Sequence, residues 1–166
     1  MGNIMDYISW RGDLTFEKSK FNEVDNLILA CFSYVNLDGI PAVAEQKGIE
    51  LKNLAEEFMK LHTIKELEAD KSFIRLAPFM MLEMAETNRF GNSVIRNYVN
   101  EIVTEAEQQF AAVEIVLEDG TSYVSFRGTD DTIIGWKEDF NLSTGVVPAQ
   151  KRAIEYLQKI SEHTDG

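Results

Sequence analysis

Two short stretches hold the residue types and spacing that can do chemistry. Phe126-Arg127-Gly128-Thr129 is followed, after Asp130 to Gly135, by Trp136-Lys137-Glu138-Asp139-Phe140. A strand that ends in glycine and then a hydroxyl residue can present backbone N–H groups at its tip. Gly128 would let a ligand approach the backbone closely, and the Thr129 hydroxyl would add a second donor. Donors converging on one point are what a developing oxyanion requires. The residues alone leave a plainer alternative standing, with Phe126 and Trp136 as core aromatics and Asp139 as a surface acid.

Other chemistries find little support. His62, His163 and Cys31 have no zinc-ligand spacing. Asp130-Asp131 and Glu138-Asp139 could gather around calcium, but the spacing and the glycine of an EF-hand loop are missing. There is no P-loop and no dinucleotide fingerprint. The expectation is therefore no cofactor and no metal. Both histidines read as surface or boundary residues, because a lone His without partners rarely marks a site. Cys31 lies in the apolar run Leu27 to Phe32 and reads as a buried, inert thiol. Arg11-Gly12-Asp13 is taken as a chance tripeptide. Asp6 stands where N-myristoylation needs a hydroxyl residue.

The positioning elements follow from hydrophobic period. The chain has 166 residues and 45% hydrophobic content, enough for a packed core. Residues 1–91 read as a helical portion, and residues 92–166 as strands followed by a helix. A first helix is expected over Phe21 to Val35, capped by Asn22, with Phe21, Val24, Leu27, Ile28, Cys31, Phe32 and Val35 on its apolar side. A second spans Leu51 to Leu61, and a polar, turn-rich piece follows Thr63. A further helix covers Ser72 to Thr87, with Phe73, Leu76, Ala77, Met80 and Met84 on one face and a kink at Pro78. Met80, Met81 and Met84 read as core filler rather than as a binding surface.

Val94 to Val103 is ambiguous in period, and its β-branched content favours a strand. Phe110 to Leu117 and Thr121 to Arg127 read as strands joined by a hairpin at Glu118-Asp119-Gly120. Pro148 opens a last helix to Glu162, with Ala153, Ile154, Leu157 and Ile160 as its apolar face.

The formal net charge of −12 disfavours nucleic acid and anionic membrane surfaces. No apolar run approaches the roughly 20 residues of a membrane span. The start lacks a signal-peptide pattern. With a single cysteine, the chain reads as reduced and cytoplasmic.

The pattern F-R-G-T, then W-x-x-D, resembles class 3 lipases and their bacterial lipase-like relatives. Trp10-Arg11-Gly12-Asp13-Leu14-Thr15-Phe16 and Phe21-Asn22-Glu23-Val24-Asp25-Asn26-Leu27 are similar to one uncharacterised bacterial branch of that group. The resemblance implies an α/β fold, the N-terminal part of an α/β-hydrolase. It implies Gly128 and Thr129 in an oxyanion hole, Asp139 orienting the Thr129 hydroxyl, Trp136 at a short lid, and Arg127 as a buried arginine paired with a carboxylate.

A hydrolase of this kind also needs a G-x-S-x-G elbow. None occurs, and Gly91-Asn92-Ser93 lacks the closing glycine. The expectation is thus a nucleophile-free portion of a serine hydrolase acting on ester or acyl bonds, silent alone. The alternative is a non-catalytic binding or scaffolding module. Either way, Val124 and Phe126 on a strand edge, with Ile154, Leu157 and Ile160, suggest a homo-dimer.

Overall fold

The structure, a computed structural model, describes residues 3–72, 74–103, 108–127 and 148–164. The elements in chain order are α1 (Ile4–Arg11), α2 (Glu23–Phe32), β1 (Ile49–Glu50), α3 (Leu51–Leu61), α4 (Ile64–Ala69), α5 (Ala77–Ala85), β2 (Val94–Val103), β3 (Gln108–Val116), β4 (Ser122–Phe126) and α6 (Pro148–Thr164). A short 3-10 turn covers Pro41–Val43.

Local chemistry sets most of these boundaries. Capping boxes start three helices: Asn3 with Asp6, Asn22 with Asp25, and Thr63 with Glu66. Each cap accepts from backbone N–H groups of the first turn that have no partner inside the helix. The Thr63 box turns the expected polar, turn-rich piece into α4. Pro78 lies in the first turn of α5. There its missing N–H costs nothing, so it starts the helix instead of kinking it. The hairpin between β3 and β4 closes on Gly120, whose φ of 86° suits glycine. Its N–H donates to the Leu117 carbonyl.

The four strands lie in the order β1-β2-β3-β4, the same as their order in the chain. β1 pairs antiparallel with β2, Ile49 opposite Ile95. The chain between β2 and β3 and the turn between β3 and β4 are far too short for a parallel crossover, which takes a dozen residues or more. The result is an antiparallel α+β architecture. This corrects the expected α/β fold, a partial α/β-hydrolase. The physical reason is connection length: β2, β3 and β4 follow one another with links too short for the helical crossovers of that class, and β1 pairs antiparallel with β2.

Two units are distinguished. One comprises residues 1–98 and 113–125, and the other residues 99–112 and 126–166. In the first, α5 packs on α1, α2 and α3. Leu51, Leu54, Phe58, Met80, Met81 and Met84 are buried there, so the methionines are core. Each large side chain removed from water contributes on the order of 1.5–3 kcal/mol. In the second unit, Phe110, Phe126 and Tyr156 form a ring cluster with centroids 6.0 Å apart.

Two helices bury only part of the face expected, Ile28 and Phe32 of α2 and Ile160 of α6, with the inward stripe rotated. In α2 the buried residues are Asp25, Ile28, Leu29 and Phe32. Phe21, Val24 and Leu27 are exposed, Leu27 at 53%. In α6, Tyr156 and Ile160 are buried, while Ile154 and Leu157 face solvent. Neighbouring helix residues differ by about 100°, so preferring Tyr156 to Leu157 rotates the whole face.

Candidate functional site

Gly128, Thr129, Trp136 and Asp139 lie outside the described residues, as do Asp130-Asp131 and Glu138. Arg127 is described. It is half-buried, and its guanidinium donates to Asn100 Oδ1 at 2.8 Å. Among the described residues, Asn100 is the partner of that guanidinium, and the acids nearest Arg127 in sequence, Asp130 and Asp131, lie outside them. The Arg127 backbone N–H donates to the Ala111 carbonyl. Val124 is half-buried and Phe126 is exposed on β4, the last strand in the sheet order.

The most deeply placed charges are ones the spacing did not bring forward. Asp25 and Arg89 are 0% and 1% exposed. Arg89 donates through Nε to Asp25 Oδ1 at 2.7 Å and through Nη2 to Oδ2. Its remaining donors reach the carbonyls of Leu14, Ser19 and Lys20. The guanidinium also lies 4.1 Å from the Phe16 ring centre. Burial pushes the Arg89 pKa down, but the bonds and charge of Asp25 outweigh that and hold it above its usual value.

Tyr7 Oη donates to Asp25 Oδ1, and the Asn22 N–H donates to Oδ2. Asp25 is thus both a helix cap residue and the anchor of the loop before α2. Gly12 belongs to the same closure. Its carbonyl accepts from the Arg89 N–H, and a Cβ there would lie 2.4 Å from Thr87 Cγ2.

Glu114 is the second buried acid, at 0% exposed, with Arg96 at 25%. Arg96 donates to both of its oxygens at 2.9 and 2.8 Å, Asn97 donates at 2.7 Å, and the Ser122 hydroxyl completes the set. Desolvation raises the Glu114 pKa. Hydrogen bonds from Arg96, Ser122 and Asn97, with the charge of Arg96, outweigh it and hold the carboxyl below its usual value. A carboxylate engaged this fully is a poor proton acceptor, so the cluster is a structural joint of β2, β3 and β4.

The other candidate groups are equally settled. The Cys31 thiol is half-buried, and desolvation pushes its pKa up, away from thiolate reactivity. His62 caps the end of α3 with its ring 4.3 Å from Phe58. No His, Cys, Asp and Glu group among the described residues could hold a metal ion. No described helix is long and apolar enough to cross a membrane.

Among the described residues, the first unit carries several surface openings, one of them much larger than a neighbouring apolar cleft of about 230 Å³ beside Cys31 and Tyr34. A groove of about 910 Å³ runs between α3 and α5, closed by α1 and α4. Its more buried lining is Met5, Ala55, Met59, Phe79 and Leu82, and the exposed Ile64, Glu56, Glu83 and Glu86 stand on its rim. Lys52, also on the rim, is held by Glu50 at 2.8 Å and by Asn92 at 3.1 Å. The residues come from helix positions three and four apart on α3 and α5, which share a face.

A family model described as Mbeg1-like matches residues 84–166, half of the chain. The chain belongs to the Mbeg1-like family. The matched part of this Mbeg1-like chain runs from the end of α5 through β2, β3, β4 and α6, and it contains Phe126-Arg127-Gly128-Thr129. No curated protein and no solved structure matches the chain.

The family corrects the expected membership in a class 3 lipase-like α/β-hydrolase group, for which no support appears. F-R-G-T and W-x-x-D together fix only a few sequence positions. Short strand-end patterns of this kind recur on unrelated folds, because glycine and hydroxyl residues suit strand ends for local reasons.

Proposed function

We propose that this segment works by binding, as a non-catalytic docking module, and that the α3–α5 groove is its contact surface. The observation that carries the reading is the groove itself: an apolar floor open to solvent, flanked by polar groups that can fix an occupant's orientation. The polar clusters support it from the other side. The carboxylates of Asp25 and Glu114 are committed to arginines.

The neutral fluorophore N-phenyl-1-naphthylamine tests the reading. Its emission should rise and shift to the blue on addition of the chain. The rise should be lost in the double variant Leu82→Gln, Ile64→Gln, whose far-UV circular dichroism should be unchanged because Ile64 is exposed and Leu82 only flanks the core. A fluorophosphonate probe should leave the chain unlabelled. Stoichiometric labelling of any serine, or an emission change indifferent to both substitutions, would overturn the proposal.

A further inference from the structure

We infer that the occupant of the groove is a basic amphipathic helix of a partner protein; this rests on the docking reading above and adds the chemistry of the partner. Shape argues for a helix. The floor side chains Met59, Phe79 and Leu82 project from helices whose surfaces are ridged at three- and four-residue spacing, and another helix is what fits such ridges. An extended peptide binds by adding to an open strand edge, and none lines this groove.

Charge argues for a basic polar face. Glu56, Glu83 and Glu86 are exposed and make no salt bridge among the described residues, and the one lysine on the rim is already held by Glu50. The chain as a whole carries −12. An incoming lysine or arginine therefore meets unpaired carboxylates at the rim while its neighbours bury apolar groups below. Met5 and Met59 suit this use, since an unbranched thioether adapts to differing apolar surfaces.

The test uses the full chain and three fluorescein-labelled peptides of about 18 residues, roughly five helical turns. All share one apolar face, and their polar faces are lysine, glutamine or glutamate. Fluorescence anisotropy should show the lysine peptide binding about tenfold more tightly than the glutamine peptide, a preference in line with a few exposed ion pairs. The glutamate peptide should bind more weakly still. The lysine preference should fall as salt rises. The triple variant Glu56→Gln, Glu83→Gln, Glu86→Gln should abolish it while keeping the naphthylamine signal.

Equal binding of the lysine and glutamine peptides would overturn the basic partner and leave the docking groove standing. So would failure of all peptides while the naphthylamine still seats. Loss of the naphthylamine signal in the unmodified chain would instead sink the docking reading itself.

Discussion

Asp25 and Glu114 are two buried carboxylates, each forked by an arginine, and they do different work. Asp25 joins segments far apart in sequence: its partner Arg89 is 64 residues away and is itself buried. Arg89 then spends its other donors on the carbonyls of the loop before α2. Glu114 joins neighbours in one sheet, 18 residues from Arg96, and that arginine keeps a quarter of its side chain in water. A buried acid whose cation is also buried has no solvent to fall back on when the pair is broken. One whose cation reaches water does. The difference predicts an order of sensitivity.

The largest effect should follow Arg89→Leu. It leaves the Asp25 charge buried and three backbone carbonyls without their donor, which should cost about 3–5 kcal/mol. Urea denaturation should show the midpoint falling accordingly. The double variant Asp25→Asn, Arg89→Leu should recover part of the loss, because the unpaired charge is gone. A loss under about 1 kcal/mol in the single variant would mean that water reaches Asp25.

Glu114→Gln should cost less, about 1–3 kcal/mol at neutral pH. It also carries a pH signature. The folded-state carboxyl sits below its ordinary value. Its contribution is therefore present above the unfolded carboxyl range, near pH 4.3, and is lost as pH falls through the lower folded value. The stability gap between the natural chain and the variant should thus be flat near neutrality and close in acid. A gap that widened on acidification would reverse the assignment.

The smallest effect should come from Arg152→Ala in the second unit. Its pair with Glu101, at 32% and 38% exposed, is screened by solvent. The loss should be within about 1 kcal/mol, mostly from uncovering the Phe110 ring, whose centre lies 5.5 Å from the guanidinium. Thermal denaturation at low and high salt would sharpen this: a packing contribution should not shrink as salt rises.

Local signals in the chain proved strong where one segment carries its own partners. Leu51 to Leu61 is the extent of α3 as its period predicts, and Asn22 caps α2. Asp119-Gly120 makes the hairpin turn, because only a short stretch of backbone is involved. α1 went unforeseen, although Asn3 and Asp6 form a capping box, since its apolar period is weak. The groove left no signature, because its lining is assembled from four helices, with no contiguous motif to read. Asp25 did leave one. It stands at 25, 28, 29 and 32, in line with buried apolar residues, but an acid in such a stripe makes sense only once its cation is known.

By itself, the sequence determined the identity of most elements, their caps and turns, and the antiparallel connections that short linkers force. The tertiary structure decided which way the helices face. A 3.6-residue period specifies that a stripe exists, and the neighbouring stripes of α2 and α6 are nearly as apolar as the buried ones. Long-range partners broke the tie: Arg89 drew Asp25 inward and left Leu27 outside, and the Phe110–Phe126 rings drew Tyr156 inward and left Leu157 outside. Those partners lie tens of residues away, and only the folded chain brings them within the few ångströms over which packing and ion pairing act.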